Sequence, residues 1–250
     1  MSDFFWLNDA QMARLETFFP KSHGKLRVDD RRVLSGIIFI NRYGLRWRDA
    51  PKEYGPHKTL YNRWKRWSDK GVFARMILGL AADHGEENTV MIDATYLKAH
   101  RTASSLGFKK GGRGRLTGRI KGGMNSKLHA ICDSKGRPLN PIVTAGQVTD
   151  YIGARALLST LPDFNWLLGN HGYEAGWFRE ALKDTGISPC ITGRKQRKTL
   201  VKNDTRQYKR CNRIEINFGK LKDWRRVATR YDRWPKVFLS AIAAIVIVWL

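Results

Sequence analysis

Apolar positions in the first third of the chain recur at helical spacing. Asn8 with Gln11 three residues on is a capping-box signature, and Met12, Leu15 and Phe18 or Phe19 fall on one face before Pro20 stops the run. After Asp29 or Asp30 the pattern returns as Val33, Leu34, Ile37 and Ile38, with Gly44 as a stop. His57 to Asp69 turns Leu60, Trp64 and Trp67 inward and leaves Lys58, Asn62, Arg63, Lys65 and Arg66 outside. From Asn88 the spacing shortens. Thr89 to Ile92, Leu128 to Cys132, Pro141 to Thr144, Trp166 to Gly169 and Ile187 to Ile191 read as strands, the first ending at Asp93. Asp150 to Leu161, with Ile152, Ala156 and Leu157 on one side, and Trp177 to Lys183 read as helices. Strands first in a run and then alternating with helices predict an α/β domain built on a mixed sheet. The expected division is an all-helical unit over 1–85 and an α/β unit over 86–250, with a long Gly-, Lys- and Arg-rich loop over 107–123.

Charge narrows the partner. The chain has 46 Lys and Arg against 22 Asp and Glu, a formal net charge of +24, and such an excess favours a polyanion. The cations cluster from Lys98 to Lys127, Arg194 to Arg213 and Lys220 to Arg233; those expected on DNA are the outer side of the third helix, Lys109, Lys110, Arg113, Arg115, Arg119 and Lys121 in the loop, and Arg210, Arg213, Arg225 and Arg226 near the end. Three helices, the last with an aromatic inner face and a basic outer one, suit a helix-turn-helix that reads duplex DNA. The loop's glycines have neither dinucleotide nor P-loop spacing, so its role is expected to be contact with phosphate backbone.

Other classes fit less well. Val237 to Leu250 is the one long apolar run and is shorter than the ~18 residues of a membrane span, so it reads as a buried terminal helix. The first residues carry no signal-peptide pattern, so the expected location is the cytosol. Cys132, Cys190 and Cys211 form no CxxC pair, and the histidines have no metal-ligand spacing. An RNA-binding module would explain the charge, but the aromatics sit at core spacings and offer no stacking platform.

Candidate chemistry centres on Tyr208 to Asp232, where Tyr208, Cys211, Glu215, Phe218 and Lys222 follow at helical steps beside an apolar stripe of Ile214, Phe218 and Leu221. One acid among cations on a solvated helix would ordinarily make only weak ion pairs. Asp93 changes the weighing. Two carboxylates from distant segments of a cationic protein are what metal-dependent phosphodiester chemistry requires.

These pieces together resemble the insertion-sequence-five family of bacterial DDE transposases over nearly the whole chain. The matching segments are TLYNRWKRW, MIDATYLKAHR, KGGMNSKLHAICDSKGRPLN, VTAGQVTDYIGARALL and NRIEINFGKLKDWRRVATRYDR. The resemblance implies a ribonuclease-H-like catalytic domain behind a helix-turn-helix-like head, and an Asp-Asp-Glu triad holding Mg²⁺, with Mn²⁺ as the alternative ion. It also implies terminal inverted repeats and target DNA as partners, a homo-oligomer on DNA, no membrane, and a place on the bacterial nucleoid. Asp93 matches the first acid and Glu215 the third, with Tyr208 and Lys222 as helpers. The second acid, in a family segment like Leu-Leu-Gly-Asp-Arg-Gly-Tyr-Asp, is Asn170 here, and Cys211 stands where the family has Arg. Asn offers a metal its carbonyl oxygen but no charge, and a thiol cannot replace a planar cation. Glu174, four residues on, is the nearest substitute acid. Two readings stand: an active transposase performing strand cleavage and transfer, and an impaired copy that keeps fold and DNA binding.

Overall fold

In the computed structural model, which describes residues 4–21, 28–82, 88–104, 114–158, 164–193 and 208–249, the capping box at Asn8 forms as its spacing predicts. Asn8 Oδ1 accepts from the Gln11 N–H at 2.8 Å and Gln11 Oε1 from the Asn8 N–H at 3.1 Å, which starts α1 (Asp9–Leu15). Helix α2 (Asp30–Tyr43) ends at Gly44, whose φ of 71° is the left-handed conformation glycine takes without a Cβ penalty. Helix α3 (His57–Asp69) buries Leu60, Trp64 and Trp67 as expected. Helix α4 (Val72–Ala82) follows it after Lys70 and Gly71 and was not anticipated. Its VFARMILGLAA is apolar nearly throughout, which blurs the one-sided period that marks a surface helix. Two 3₁₀ turns, Trp47–Asp49 and Lys52–Tyr54, connect α2 to α3, a longer path than the ~3–4 residue turn of a helix-turn-helix.

The second part of the chain forms a mixed sheet. Its strands are β1 (Thr89–Ala99), β2 (Gly118–Ile120), β3 (Gly123–Cys132), β4 (Pro138–Ala145), β5 (Trp166–Gly169), β6 (Ser188–Ile191) and β7 (Thr229–Arg230). β1 is central: it runs antiparallel to β3 and parallel to β5, which pairs in turn with β6. β4 lies antiparallel on β3, giving the ribonuclease-H-like arrangement of an antiparallel meander followed by parallel strands. Between them run α5 (Arg101–Ser104), α6 (Asp150–Leu158) and α7 (Gly176–Asp184), and after β6 come α8 (Asn212–Lys222), α9 (Arg225–Ala228) and α10 (Pro235–Trp249).

Three expectations change. β1 does not stop at Asp93; its pairing with β3 continues to Lys98 opposite Asn125. Helix α6 buries Gly153, Ala154 and Leu157 while Ile152 and Ala156 face outward, because Gly153 lies directly over the fully buried His129, where an added Cβ would come within 2.1 Å of Nδ1. Part of the expected loop is ordered as β2, which forms a hairpin with β3; Lys109, Lys110 and Arg113 lie outside the described residues.

Both faces of the sheet are covered. Val90, Ile92 and Ile131 pack with Leu157, Phe178 and Leu182 of α6 and α7 on one side. On the other, Met91, Leu97, Leu128 and Val143 join a larger cluster that runs through α8 and α10 to Val33, Ile37, Trp64 and Phe73 of the head. Helix α10 is buried from Val237 to Ile247 and packs on α2, α3, α4 and β4, so its continuous apolar sequence reflects cover on all sides. No helix among the described residues is long and apolar enough to cross a membrane.

Candidate active site

Asp93 sits where the edge of β1 opens. β5 covers that edge as far as Ile92, paired with Gly169, and β7 covers it again from Lys98, paired with Thr229. The residue after β5 is Asn170, so chain direction in a parallel pair carries it to Asp93. Asn170 Nδ2 donates to Asp93 Oδ1 at 2.9 Å. Asn170 Oδ1 accepts from the Gly172 N–H at 2.7 Å and caps the 3₁₀ turn His171–Tyr173. These partners fix the amide's orientation, since a carboxylate only accepts and a backbone N–H only donates.

Glu215 lies on the exposed side of α8, whose inner side carries Ile214, Phe218 and Leu221 as expected. Asn217, where an apolar residue would fit, is buried, and its Nδ2 has no hydrogen-bond partner among the described residues. Glu215 is close enough to act on Asp93. Burial, followed by the charges of Glu215 and Asp150, pushes the Asp93 carboxyl up to about 6, against the Ala94 N–H and Asn170 bonds that lower it. Cys211, one turn before Glu215, is pushed up to about 12 by burial, with Cys190, Asp93 and Glu215 adding to the rise. The position where the family has a cation therefore holds a neutral thiol. Tyr208 is half-buried and Lys222 exposed.

Three neighbours, Asp150, Lys127 and Tyr173, were missed in the sequence. Asp150, at the start of α6, raises Asp93 and pairs with the buried Lys127 of β3 at 2.9 Å. Both lie in segments that carry the family resemblance, KGGMNSKLHA and VTDY, but an acid opening a helix and a basic residue in a strand have commoner structural explanations. Tyr173 is fully buried, its hydroxyl has no hydrogen-bond partner among the described residues, and the charges of Asp93 and Asp150 reach it.

The donors do not fit a two-metal centre. Asn170 brings no charge, its one acceptor oxygen is held by Gly172, and it turns a donor toward Asp93 where a cation would have to lie. Glu174 is no substitute. Its Oε2 takes two bonds from Arg179, at 2.6 and 3.1 Å, in a buried pair. Among the described residues no group of three His, Cys, Asp or Glu side chains is placed to hold a metal.

The expected DNA contacts divide. Lys58, Asn62 and Arg66 on α3 are exposed. Arg63 is instead bonded to Asp30 at 2.7 Å over the Trp67 ring, and Lys65 pairs with Asp69. Arg119, Lys121, Arg210 and Arg225 are exposed and Arg115 half-buried; Arg213 is exposed and donates to the Ser134 carbonyl. Arg226 cannot present itself to a phosphate: it is buried, donates to the Leu45 carbonyl at 2.9 Å and faces Asp232 at 3.6 Å.

Residues 84–250 match the family described as "Transposase DDE domain", and residues 7–77 match "Putative transposase of IS4/5 family". A Brucella ovis protein named "Putative transposase for insertion sequence element IS6501" is 31% identical over 129 residues, 51% of this chain and 99% of that protein. A Burkholderia cepacia protein, "Putative transposase for insertion sequence element IS402", is 29% identical over 119 residues, covering 43% of this chain and 54% of its own length. Among solved structures, the piggyBac transposase in a synaptic complex with hairpin DNA aligns with a TM-score of 0.53 at 10% identity, over 94% of this chain and 68% of that one. At that identity the likeness is one of fold.

Proposed function

The chain belongs to the DDE transposases of insertion elements, and from that premise we propose that this copy binds duplex DNA at element ends with its cleavage chemistry impaired. The family's general activity is DNA cleavage and strand transfer with divalent metal. The observation that carries the finer reading is the Asn170 to Asp93 hydrogen bond.

In an Asp-Asp-Glu site the middle carboxylate and Asp93 would repel each other unless a cation lay between them, and the cation's chemistry is to activate the attacking oxygen of a phosphodiester. Asn170 removes that repulsion by donating to Asp93. It leaves Asp93 and Glu215 as the remaining acids of the triad, with Lys222 exposed beyond them on α8. Loss of a group that merely orients a metal ligand costs ~10–100-fold, and loss of a ligand charge costs at least as much.

Supporting the binding half of the reading are the net charge of +24 and the exposed Lys58, Asn62 and Arg66 along α3. We read 1–85 as the DNA-reading head and 86–250 as the catalytic-fold unit, acting as a homo-oligomer on paired ends in the bacterial cytoplasm. Mg²⁺ or Mn²⁺ is the ion an intact triad would take.

A gel-shift salt series on duplex carrying the element's end, run beside a nicking assay with Mg²⁺ or Mn²⁺, tests both halves. The expected result is binding whose log K falls by about 0.9 per phosphate contact for each tenfold rise in salt, with nicking no greater than that of a Glu215→Gln variant. Absence of duplex binding at low salt, or nicking well above that variant, contradicts the proposal.

A further inference from the structure

The loop joining β7 to α10 is held from the inside. Arg230 is fully buried and donates to the carbonyls of Asp232 and Arg233, at 2.9 and 3.1 Å, and to Ser126 Oγ at 2.6 Å. The His100 N–H donates to the Arg230 carbonyl at 2.9 Å and Thr102 Oγ1 to that of Tyr231 at 3.3 Å. With its backbone fixed in this way, the loop turns two aromatic side chains outward: Tyr231 is 40% exposed and Trp234 53%.

Tyr231 lies on the His100 ring, centroids 4.6 Å apart at 35°. The His100 Nδ1 lies 3.0 Å from Thr102 Oγ1 and 3.3 Å from the Thr102 backbone nitrogen, which ties the ring to the same turn. Lys98, which pairs with Thr229 of β7, Arg101, which follows His100, and Arg233, which lies between the two aromatics in the loop, are each exposed and each without a hydrogen bond or ion pair from its side chain among the described residues. One exposed aromatic on a surface is ordinary. Two on an internally pinned loop, with three uncommitted cations beside them, combine the two elements by which single-stranded nucleic acid is held: faces for bases and charge for phosphates.

The position suits a strand leaving the catalytic edge. β1 connects the two places, rising ~20 Å from Asp93 to Ala99 at about 3.3 Å per residue. We infer that the Tyr231–Trp234 loop, with Lys98, Arg101 and Arg233, is a stacking site for unpaired nucleotides of a DNA strand. The inference rests on the reading of this chain as a DNA-binding protein and adds a single-strand site to it.

The test is fluorescence anisotropy of the full chain with labelled oligodeoxythymidine and, separately, labelled duplex at the same low salt. Tyr231→Ala and Trp234→Ala are each expected to weaken oligodeoxythymidine binding about 5- to 100-fold and to leave duplex binding within about two-fold. Tyr151→Ala, at an exposed aromatic on α6, should change neither. Melting curves establish that the variants fold. Unchanged oligodeoxythymidine affinity, or equal losses on both probes, overturns the inference. Wild-type protein that holds duplex but not oligodeoxythymidine defeats the stacking site alone, whereas failure to hold either defeats the DNA-binding reading with it.

Discussion

Asn170 donates its amide N–H to the carboxylate of Asp93 at 2.9 Å, while its oxygen caps the turn that follows β5. In the proposed reading, one side chain thus stands at a triad position and satisfies the carboxylate opposite, where a second carboxylate would repel it.

The cations of α3 make separable predictions. Lys58→Ala and Arg66→Ala remove exposed charges and should each lower the magnitude of the salt slope of duplex binding by about 0.9, with little change in melting temperature. Arg63→Ala should instead destabilise the fold by about 3 kcal/mol, because it removes a hydrogen-bonded cation from beside a largely buried Asp30. Salt-series gel shifts and denaturant melts distinguish the two, and an Arg63 variant that melts normally but binds poorly would reverse the assignment.

His129 predicts an acid sensitivity. Burial, partly offset by Asp150 and reinforced by Lys127, pulls its pKa from 6.5 down to about 4; its Nε2 lies 2.8 Å from Thr144 Oγ1 and its Nδ1 has no partner among the described residues. The unfolded chain takes up the proton first as pH falls, so stability is full above ~6.5 and is lost as pH falls toward 4, by ~3 kcal/mol in all. Urea melts at pH 7 and pH 5 should show a smaller drop in His129→Gln than in the parent protein. An identical drop in both would assign the acid sensitivity to other groups.

Glu174 is predicted to be structural. Glu174→Ala leaves Arg179 buried beside the Ile191 carbonyl without its carboxylate and should cost about 3–5 kcal/mol in denaturant melts. A cost under ~1 kcal/mol would mean the pair is not held in solution and would return Glu174 as a candidate ligand.

Much of this was legible in the sequence, for reasons particular residues make plain. Asn8 and Gln11, Gly44, and the Leu60, Trp64 and Trp67 stripe act locally, so spacing reveals them. The apolar stripe of α8 was readable for the same reason. What stayed hidden depends on cover from elsewhere. Helix α4 is apolar nearly throughout, β1 continues past Asp93 because β3 pairs with it, and α6 turns Gly153 inward because His129 fills the space beneath. At the site, Glu215 and Asp93 stood out as acids from distant segments of a cationic chain, while Asn170 is picked out by resemblance to a family motif. The competing bonds that commit both ends of the Asn170 amide, and the Arg179 that takes Glu174, emerge only from packing. Arg226 looked like any other surface cation until the fold buried it against Asp232.

The central claim is that Asn170, with Cys211 beside it, withholds from this site what strand cleavage needs. Its most direct test is divalent-ion-dependent nicking of duplex carrying the element's end, by the parent protein and by an Asn170→Asp, Cys211→Arg variant at equal DNA occupancy. The variant is predicted to cut at least ~10–100-fold faster, the scale on which metal sites respond to lost support. Equal cleavage by both proteins would contradict the account.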